Sequence, residues 1–362
     1  MKEKITAREP GNALQCIQYD LFTSFFGEAG ELSNAIELWD GIPKYSVTAR
    51  TQNALRNAEK RLPVFERRFV FATRCNGRRI ETSCRVTIQP ASVKTESGYV
   101  DYYPSVDEEL VEEVIRKIFA DQRCGQHDPN NSESWVRFSV QMIRKELKER
   151  GKTRNLNEIK RSIDILSRTH IALYLDESPD PVYSAPILSD ITRVNRAEYL
   201  EDTSLTWIAR LPALISKSIN ELSYRQINYS IQMSLCSQLA RWLHKRLSLN
   251  YTNASLMDHY EILFSTIKRD SGLLNYARES ANYKTLEEAL DELKKTNVLV
   301  SWERIAENRQ GRKIIDVKYR FCAHIDFVAT TKAANARLKQ SRDILSDIPI
   351  GKLIKKDLRI GP

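Results

Sequence analysis

Hydrophobic positions change their spacing along the chain, and each change marks a different kind of element. Between residues 63 and 104 they alternate. FERRFVFATR and IETSCRVTIQP flank CNGRR, and Asn76-Gly77 between two alternating runs predicts a β-hairpin. TESG at 95–98 predicts a second turn before YVDYYP, which makes this region a small antiparallel sheet. From residue 105 the spacing becomes three and four. Ser105 with Glu108 three residues on forms a capping-box signal, and Leu110, Val111, Val114, Ile115, Ile118 and Phe119 trace one helical face. CGQHDPNNSE reads as a loop and WVRFS at 135–139 as a short strand. VQMIRKELKERG predicts a helix stopping at Gly151. Asn155 opens another, with Leu156, Ile159, Ile163 and Leu166 inward. IALYLDES then reads as a strand, PDPVYSA as a loop, and strand-like runs reach Trp207. Helix, strand, helix, turn, helix, strand, loop, strand is the order of a winged helix.

That order returns. Residues 223–249 predict one long helix with Ile227, Ile231, Leu235, Leu239 and Trp242 on a stripe. YEILFS, the helical stretch TIKRDSGLL and a helix over 280–296 follow. VLVSWERIA and KIIDVKYRF then flank the turn ENRQGR, as the strands of a wing would. At the ends, residues 1–33 read as an irregular arm, and 331–362 as a basic tail without a strong apolar period. NAIELWDGIPKY reads as a helix-like opening and TARTQNALRNAEKRL as a polar helix. The expected class is α+β: tandem winged-helix domains, 105–215 and 216–330, preceded by a β-rich region over 34–104 that packs on the first.

Composition narrows the chemistry. Of the 362 residues 41% are hydrophobic, the net charge is +9 and the pI is about 9.1. No run approaches the roughly 18 apolar residues of a membrane span, and MKEKITAREPGNALQ lacks an apolar signal core. A soluble cytoplasmic chain without a membrane partner is expected. The six cysteines contain no CxxC, the nearest pair being nine residues apart, and the five histidines are scattered. Reduced thiols, no metal site and no cofactor follow. GKT at 151–153 ends like a phosphate-binding loop, but Glu146 stands where that loop needs glycine, so Gly151 reads as a helix stop. HxH, GxSxG and GxGxxG are all absent. No catalytic residue is assigned, and the chain reads as a binding protein rather than an enzyme.

A basic chain suggests a polyanion partner, and two helices carry the right groups for one. With its apolar stripe inward, the helix from Leu156 presents Asn157, Lys160, Arg161 and Arg168 outward, with Arg154 at its edge. Arginine and asparagine read guanine and adenine edges, and lysine neutralises phosphate. The second cluster is Arg278, Asn282, Tyr283 and Lys284 at the start of the 280–296 helix, with Lys268 and Arg269 before it. Glu287, Glu288, Asp291 and Glu292 on later turns repel phosphate, so only the first turn can approach DNA closely. Arg304, Arg309, Arg312 and Lys313 surround Gly311 at the expected wing tip.

NAIELWDGIPKYSV, LPVFERRF, DYYPSVDEELVEEVIRKI, LSYRQINY, QLARWLHKRLSLNYTNA, and RDSGLL with LEEALDELKKTNVL resemble, in order over roughly residues 31–330, the replication initiators of theta-replicating plasmids, in particular the RepA/TrfA-like group. The resemblance implies two winged helices that bind direct repeats (iterons) in a plasmid origin as double-stranded DNA. It further implies opening of an A·T-rich region, recruitment of host DnaA and the replicative helicase, and a monomer–homodimer equilibrium in which dimers repress. The second domain would make the main contacts, and the first would dimerise and add accessory ones. Base reading would fall on Asn282, Tyr283 and Lys284, with support from Arg154, Lys160 and Arg161. The alternative on the same fold is a winged-helix transcriptional repressor, which would bind one palindrome.

Overall fold

The computed structural model describes residues 32–75, 78–96, 98–120, 124–175, 178–193, 206–311 and 313–347. Of the arm expected over 1–33, residues 1–31 lie outside them and 32–33 open strand β1; the Asn76-Gly77 turn, Arg312 and the tail beyond residue 347 also lie outside. In chain order the elements are β1 (Leu32–Ile36), α1 (Glu37–Gly41), α2 (Ala49–Leu55), β2 (Phe65–Cys75), β3 (Arg78–Gln89), β4 (Ala91–Thr95), β5 (Gly98–Tyr102) and α3 (Val106–Phe119). Next come β6 (Gly125–Asp128), β7 (Glu133–Ser139), α4 (Val140–Glu149), α5 (Leu156–Arg168), β8 (His170–Leu175), β9 (Tyr183–Pro186), β10 (Ser189–Arg193), β11 (Thr206–Arg210) and α6 (Ala213–Asn220). The remainder is β12 (Tyr224–Asn228), α7 (Tyr229–Ser234), α8 (Gln238–Asn250), β13 (His259–Leu263), α9 (Phe264–Ser271), α10 (Glu279–Lys295), β14 (Leu299–Gln310), β15 (Lys313–Ala323) and α11 (Ile325–Asp347).

The fold is α+β, with two helix-turn-helix units, α4–α5 and α9–α10, each followed by a β-hairpin. In the second unit β13 joins the hairpin in a three-stranded sheet of order β13-β15-β14. The first unit is built differently. Its hairpin β8–β9 continues the N-terminal ribbon in a sheet of order β2-β3-β8-β9, while β7 belongs to a separate sheet of order β10-β11-β7-β6. Glycine and caps set the turns. Gly151 adopts φ +70° and closes α4: its N–H reaches the Lys148 carbonyl at 3.1 Å, and the Lys152 N–H reaches Leu147 at 2.8 Å. That is a Schellman stop, and it accounts for the GKT string. Asn155 accepts from the Glu158 N–H at 2.8 Å, and Glu158 accepts from the Asn155 N–H at 2.8 Å, starting α5.

Several predicted elements differ from the structure. The loops expected over 124–133 and 179–185 contain strands β6 and β9, the polar helix expected over 48–62 ends at Leu55, and three differences are larger. The long helix expected over 223–249 is instead β12, α7 and α8. Its apolar stripe also suits a strand followed by two helices, and Asn228 and Ser237 each cap a new helix by accepting from Ile231 and Ala240 N–H groups. The helix-like opening at 34–45 begins as strand β1, whose partner is β12, from Leu32↔Asn228 to Ile36↔Tyr224. The basic tail begins as helix α11. Within the tail its buried residues, Thr331 and Ala334, are too short-chained and polar to show as an apolar period.

Apolar side chains gather in two cores. One takes in residues from Ile36 to Met233, including Trp39, Val86, Ile115, Phe138, Ile163 and Leu173. The other runs from Leu235 to Val328, including Leu243, Leu286, Leu290, Tyr319 and Phe321. Between them lies α3. Its predicted apolar face is buried, but so are Glu108, Glu109, Glu112, Glu113 and Arg116 on its other faces. The partners come from far along the chain. Arg116 grips Asp40 with both Nη atoms, at 2.8 and 3.0 Å. Lys245 of α8 bonds Asp40 at 2.9 Å and pairs with Glu113. Arg241 of α8 bonds Glu109 at 2.9 and 3.3 Å. Glu112 accepts from the Trp39 indole and the Tyr45 hydroxyl, with Lys44 at 3.9 Å. Burial alone would raise the Asp40 carboxyl, but Arg116 and Lys245 hold it well below the usual carboxylate range.

Removing one member of this network strands its partner. Arg241→Met should lower unfolding stability by roughly 3–5 kcal/mol in urea, because Glu109 stays buried without its cation. Adding Glu109→Leu should recover most of the loss, and a single-variant cost below about 1 kcal/mol would contradict a buried clamp. A second prediction concerns His244, which is buried and shares its Nδ1 with Gln232 Oε1 at 2.7 Å. Burial, then the Lys245 charge, push its imidazole down from 6.5 to about 3. The unfolded chain therefore binds a proton near pH 6.5 that the folded chain refuses. Its contribution is full above that pH and fades as pH falls towards 3, by about 1.4 kcal/mol per unit. In urea titrations between pH 6.5 and 5, His244→Leu should flatten that slope; an unchanged slope would mean the folded imidazole takes up the proton.

Candidate nucleic-acid interface

The second helix-turn-helix owes its shape to a few buried contacts. Gly272 ends α9 in the left-handed region, φ +69°. A Cβ there would lie 2.7 Å from both Arg67 Nε and Ser46 Cβ, so the turn sits directly on the N-terminal part of the chain. Leu274 plugs the core. Phe264 of α9 and Tyr283 of α10 hold the helices together, ring centroids 4.1 Å apart. Asn282 secures the turn: its Oδ1 accepts from the Tyr276 N–H at 2.9 Å, and its Nδ2 donates to the Tyr276 carbonyl at 3.0 Å and to Glu279 at 2.7 Å.

These contacts revise the expected roles of two residues. Asn282 has no exposed surface and Tyr283 has 7%, so neither faces a base edge; both build the frame that presents the helix. The outward face of the α10 start is Arg278, Ser280 and Lys284, with Tyr276 half-exposed just before it. Lys284 lies 3.8 Å from Glu288, and both side chains are largely in solvent. Lys268 pairs with Glu279 across the turn, and exposed Arg269 bonds Asp270 at 2.7 Å. Tyr276 was missed because a turn residue carries no period, and Ser280 because its small hydroxyl side chain stands out neither as apolar nor as charged; an aromatic shortly before a helix start was the available signal.

The acids on later turns of α10 are not all free to repel phosphate. Glu287 is paired with Arg304 of β14 and accepts from the Tyr319 hydroxyl at 3.2 Å. Glu292 accepts from the N–H groups of Cys236 and Ser237 at the start of α8. Arg304 lies 5.4 Å from the Tyr283 ring centroid, so it braces the ribbon against the helix. Beyond it, β14 is exposed almost to its end. Arg309, half-exposed, pairs with Glu307 near the tip, Gly311 makes the turn at φ +61°, and Lys313 begins β15 opposite Gln310.

In the first unit the predicted faces hold. Ile159, Ile163 and Leu166 are buried, while Asn157, Lys160, Arg161 and Arg168 are exposed on α5. Arg154 is committed inward, bonding Asp107 at the start of α3 with Nη2 and Nε at 2.7 and 2.9 Å. Ser162 donates to Glu108 at 2.8 Å, tying α5 to α3; burial raises that carboxyl above its usual range, against the lowering effect of Ser162 and Ser105. The Lys152 ammonium donates to the Leu235 carbonyl at 3.0 Å, linking this unit to the start of the second core.

No protein-family model matches the chain, and no curated protein does. Among solved structures it is similar to domains 2 and 3 of RctB, at 12% identity over 78% of this chain and 98% of that one, with a TM-score of 0.42. It is also similar to the Pi initiator protein, solved in complex with iteron DNA, at 14% identity over 61% of this chain and 91% of that one, with a TM-score of 0.42.

Asn282→Ala should lower unfolding stability by about 1–3 kcal/mol, because the Tyr276 N–H and carbonyl lose their side-chain partner. Lys284→Ala, in solvent, should stay within about 0.5 kcal/mol of wild type. Urea midpoints check both, and a silent Asn282→Ala would remove Asn282 from the frame.

Proposed function

We propose that the chain is a replication initiator that binds direct repeats in a plasmid origin as double-stranded DNA. The observation that carries this reading is the pairing of two unlike helix-turn-helix units in one chain. Each has a cationic outward face: Asn157, Lys160, Arg161 and Arg168 on α5, and Arg278 and Lys284 on α10. Buried ion pairs from α3 to α8 fix the two units in one frame. Two different recognition helices held by one chain suit an asymmetric site, repeated head to tail. A repressor of a palindrome would instead use two copies of one helix, supplied by a symmetric dimer.

In this reading the polar and cationic residues divide by task. Arg278, Ser280 and Lys284 enter a major groove, where side chains can read base edges. Asn157, Lys160 and Arg161 act in a neighbouring groove, and Arg309 with Lys313 holds flanking phosphates from the ribbon. Arg154, Asn282, Tyr283 and Arg304 act as supports. The bound chain then helps open an A·T-rich segment and recruits host DnaA and the replicative helicase, and a monomer–homodimer equilibrium sets how often it fires. No catalytic step is assigned to the chain itself.

A DNase footprint on the DNA flanking the chain's own gene tests the reading. Protection of several direct repeats, spaced by about two helical turns, is the expected result. One protected palindrome would make the chain a repressor, and no protection at low salt would remove DNA binding altogether.

A further inference from the structure

Strand β2 is an edge: in the order β2-β3-β8-β9 it has a strand on one side only among the described residues. An edge leaves outward backbone groups that something else must cover. At Val70, opposite Ser83, the N–H is met by a side chain and donates to Asp270 Oδ1 at 3.0 Å. Arg67, on the same strand, donates from Nη2 to the Lys268 carbonyl at 3.2 Å. That places a cation at the C-terminal end of α9, where the helix dipole favours one. The last turn of α9 is therefore docked on the sheet that carries the hairpin of the first helix-turn-helix unit.

Asp270 is the knot of this contact. Its side chain is 3% exposed and both oxygens are engaged. Besides the Val70 N–H, Oδ1 accepts from Arg269 Nε at 2.7 Å. Oδ2 accepts from Arg246 Nη1 of α8 at 3.1 Å and from Arg269 Nη2 at 3.2 Å. One carboxylate thus joins β2, α8 and α9. It is outnumbered by the cations around it: Arg246 and Arg269 bond it, and Arg67 is also within its field, while Glu81 of β3 adds a lesser acidic influence on Arg269.

Arg269 is the member of the knot that reaches solvent, with 42% of its side chain exposed against 13% for Arg246. Asp270 holds it side-on through Nε and Nη2, which fixes the plane of the guanidinium and leaves the Nη1 end outside the pair. Its neighbour Lys268 is drawn across the turn to Glu279. In a helix-turn-helix the first helix crosses the phosphate backbone. Phosphate contacts set the register in which the second helix meets the bases. A guanidinium already held in one plane suits that task, since it has little freedom left to lose on bonding.

We propose that Asp270 is a positioning residue for DNA recognition: it aims Arg269 at a phosphate beside the groove that α10 enters, and so fixes the register of α10. The inference rests on the DNA-binding reading above and deepens it. Asp270 itself touches no DNA. Its effect falls on discrimination between sequences, not on affinity for duplex as such.

The full chain as wild type, R269A, D270N and R269A/D270N is titrated at several salt concentrations. The probes are the DNA flanking its gene and a random-sequence duplex. R269A should lower the log–log salt slope on the flanking DNA by about one. D270N keeps an oxygen for the Val70 N–H but loses the charge that holds Arg269. It should weaken the flanking DNA and leave the random duplex bound at least as tightly as before, since an acid has gone. On the R269A background, D270N should narrow that gap no further. R269K keeps the charge without the fork; it should retain the salt slope and lose discrimination, and it serves where D270N does not fold. Parallel losses on both duplexes in D270N, or an undiminished further loss on the R269A background, would make Asp270 a folding residue alone and overturn the proposal. Wild-type discrimination in D270N or in R269K would overturn it too, leaving the wider reading in place. Wild type that binds neither duplex, or both alike, would bring down that reading itself.

Discussion

Taking a carboxylate out of water costs several kcal/mol unless a cation and donors meet it, and α3 buries four of them. Everything larger in the structure answers to that requirement. Asp40 and Lys44 come from the N-terminal segment and Arg116 from α3 itself, while Arg241 and Lys245 come from α8, more than a hundred residues later. Asp40, Glu109, Glu112 and Glu113 face Lys44, Arg116, Arg241 and Lys245, while the fifth acid buried there, Glu108, is met by the hydroxyls of Ser162 and Ser105. Such an interface differs from an oily one. It has direction, because each guanidinium must meet its carboxylate, so it fixes one relative placement of the two helix-turn-helix units. That placement sets the distance between the outward faces of α5 and α10.

The repeated helix-turn-helix order and the hairpin β14–β15 were legible because they rest on local signals: helical spacing from Leu110 to Phe119 and from Leu156 to Leu166, the Ser105 and Asn155 caps, and Gly151 as a stop. Strand β9 was not, since PDPVYSA reads as a loop. The charged seam was not. Glu108, Glu109, Glu112 and Glu113 in sequence look like an ordinary solvated face, and only the fold shows what covers them. The same limit applies to β1, whose partner β12 lies nearly two hundred residues away.

The candidate interface was half legible for a related reason. Exposed cations on α5 could be placed from period alone, since the apolar stripe is unbroken. At the α10 start the polar residues Asn282 and Tyr283 fall on the inward side. A residue type suited to reading adenine is equally suited to knotting a turn, and composition does not separate the two uses. Burial does, and it moves the outward chemistry to Tyr276, Arg278, Ser280 and Lys284.

The pairing of β1 with β12 also bears on how the protein is made. A ribosome adds roughly 5–20 residues per second, so β1 waits on the order of ten seconds or more for its partner strand to emerge. During that interval the face of α3 that later meets α8 is open to water. Were that face leucine and valine, the nascent chain would present a sticky surface to its neighbours on the same message. Glutamates there keep the unfinished half hydrated and mutually repelling until Arg241 and Lys245 are synthesised. The charges that make the finished seam selective also keep the incomplete chain from aggregating while it is still attached.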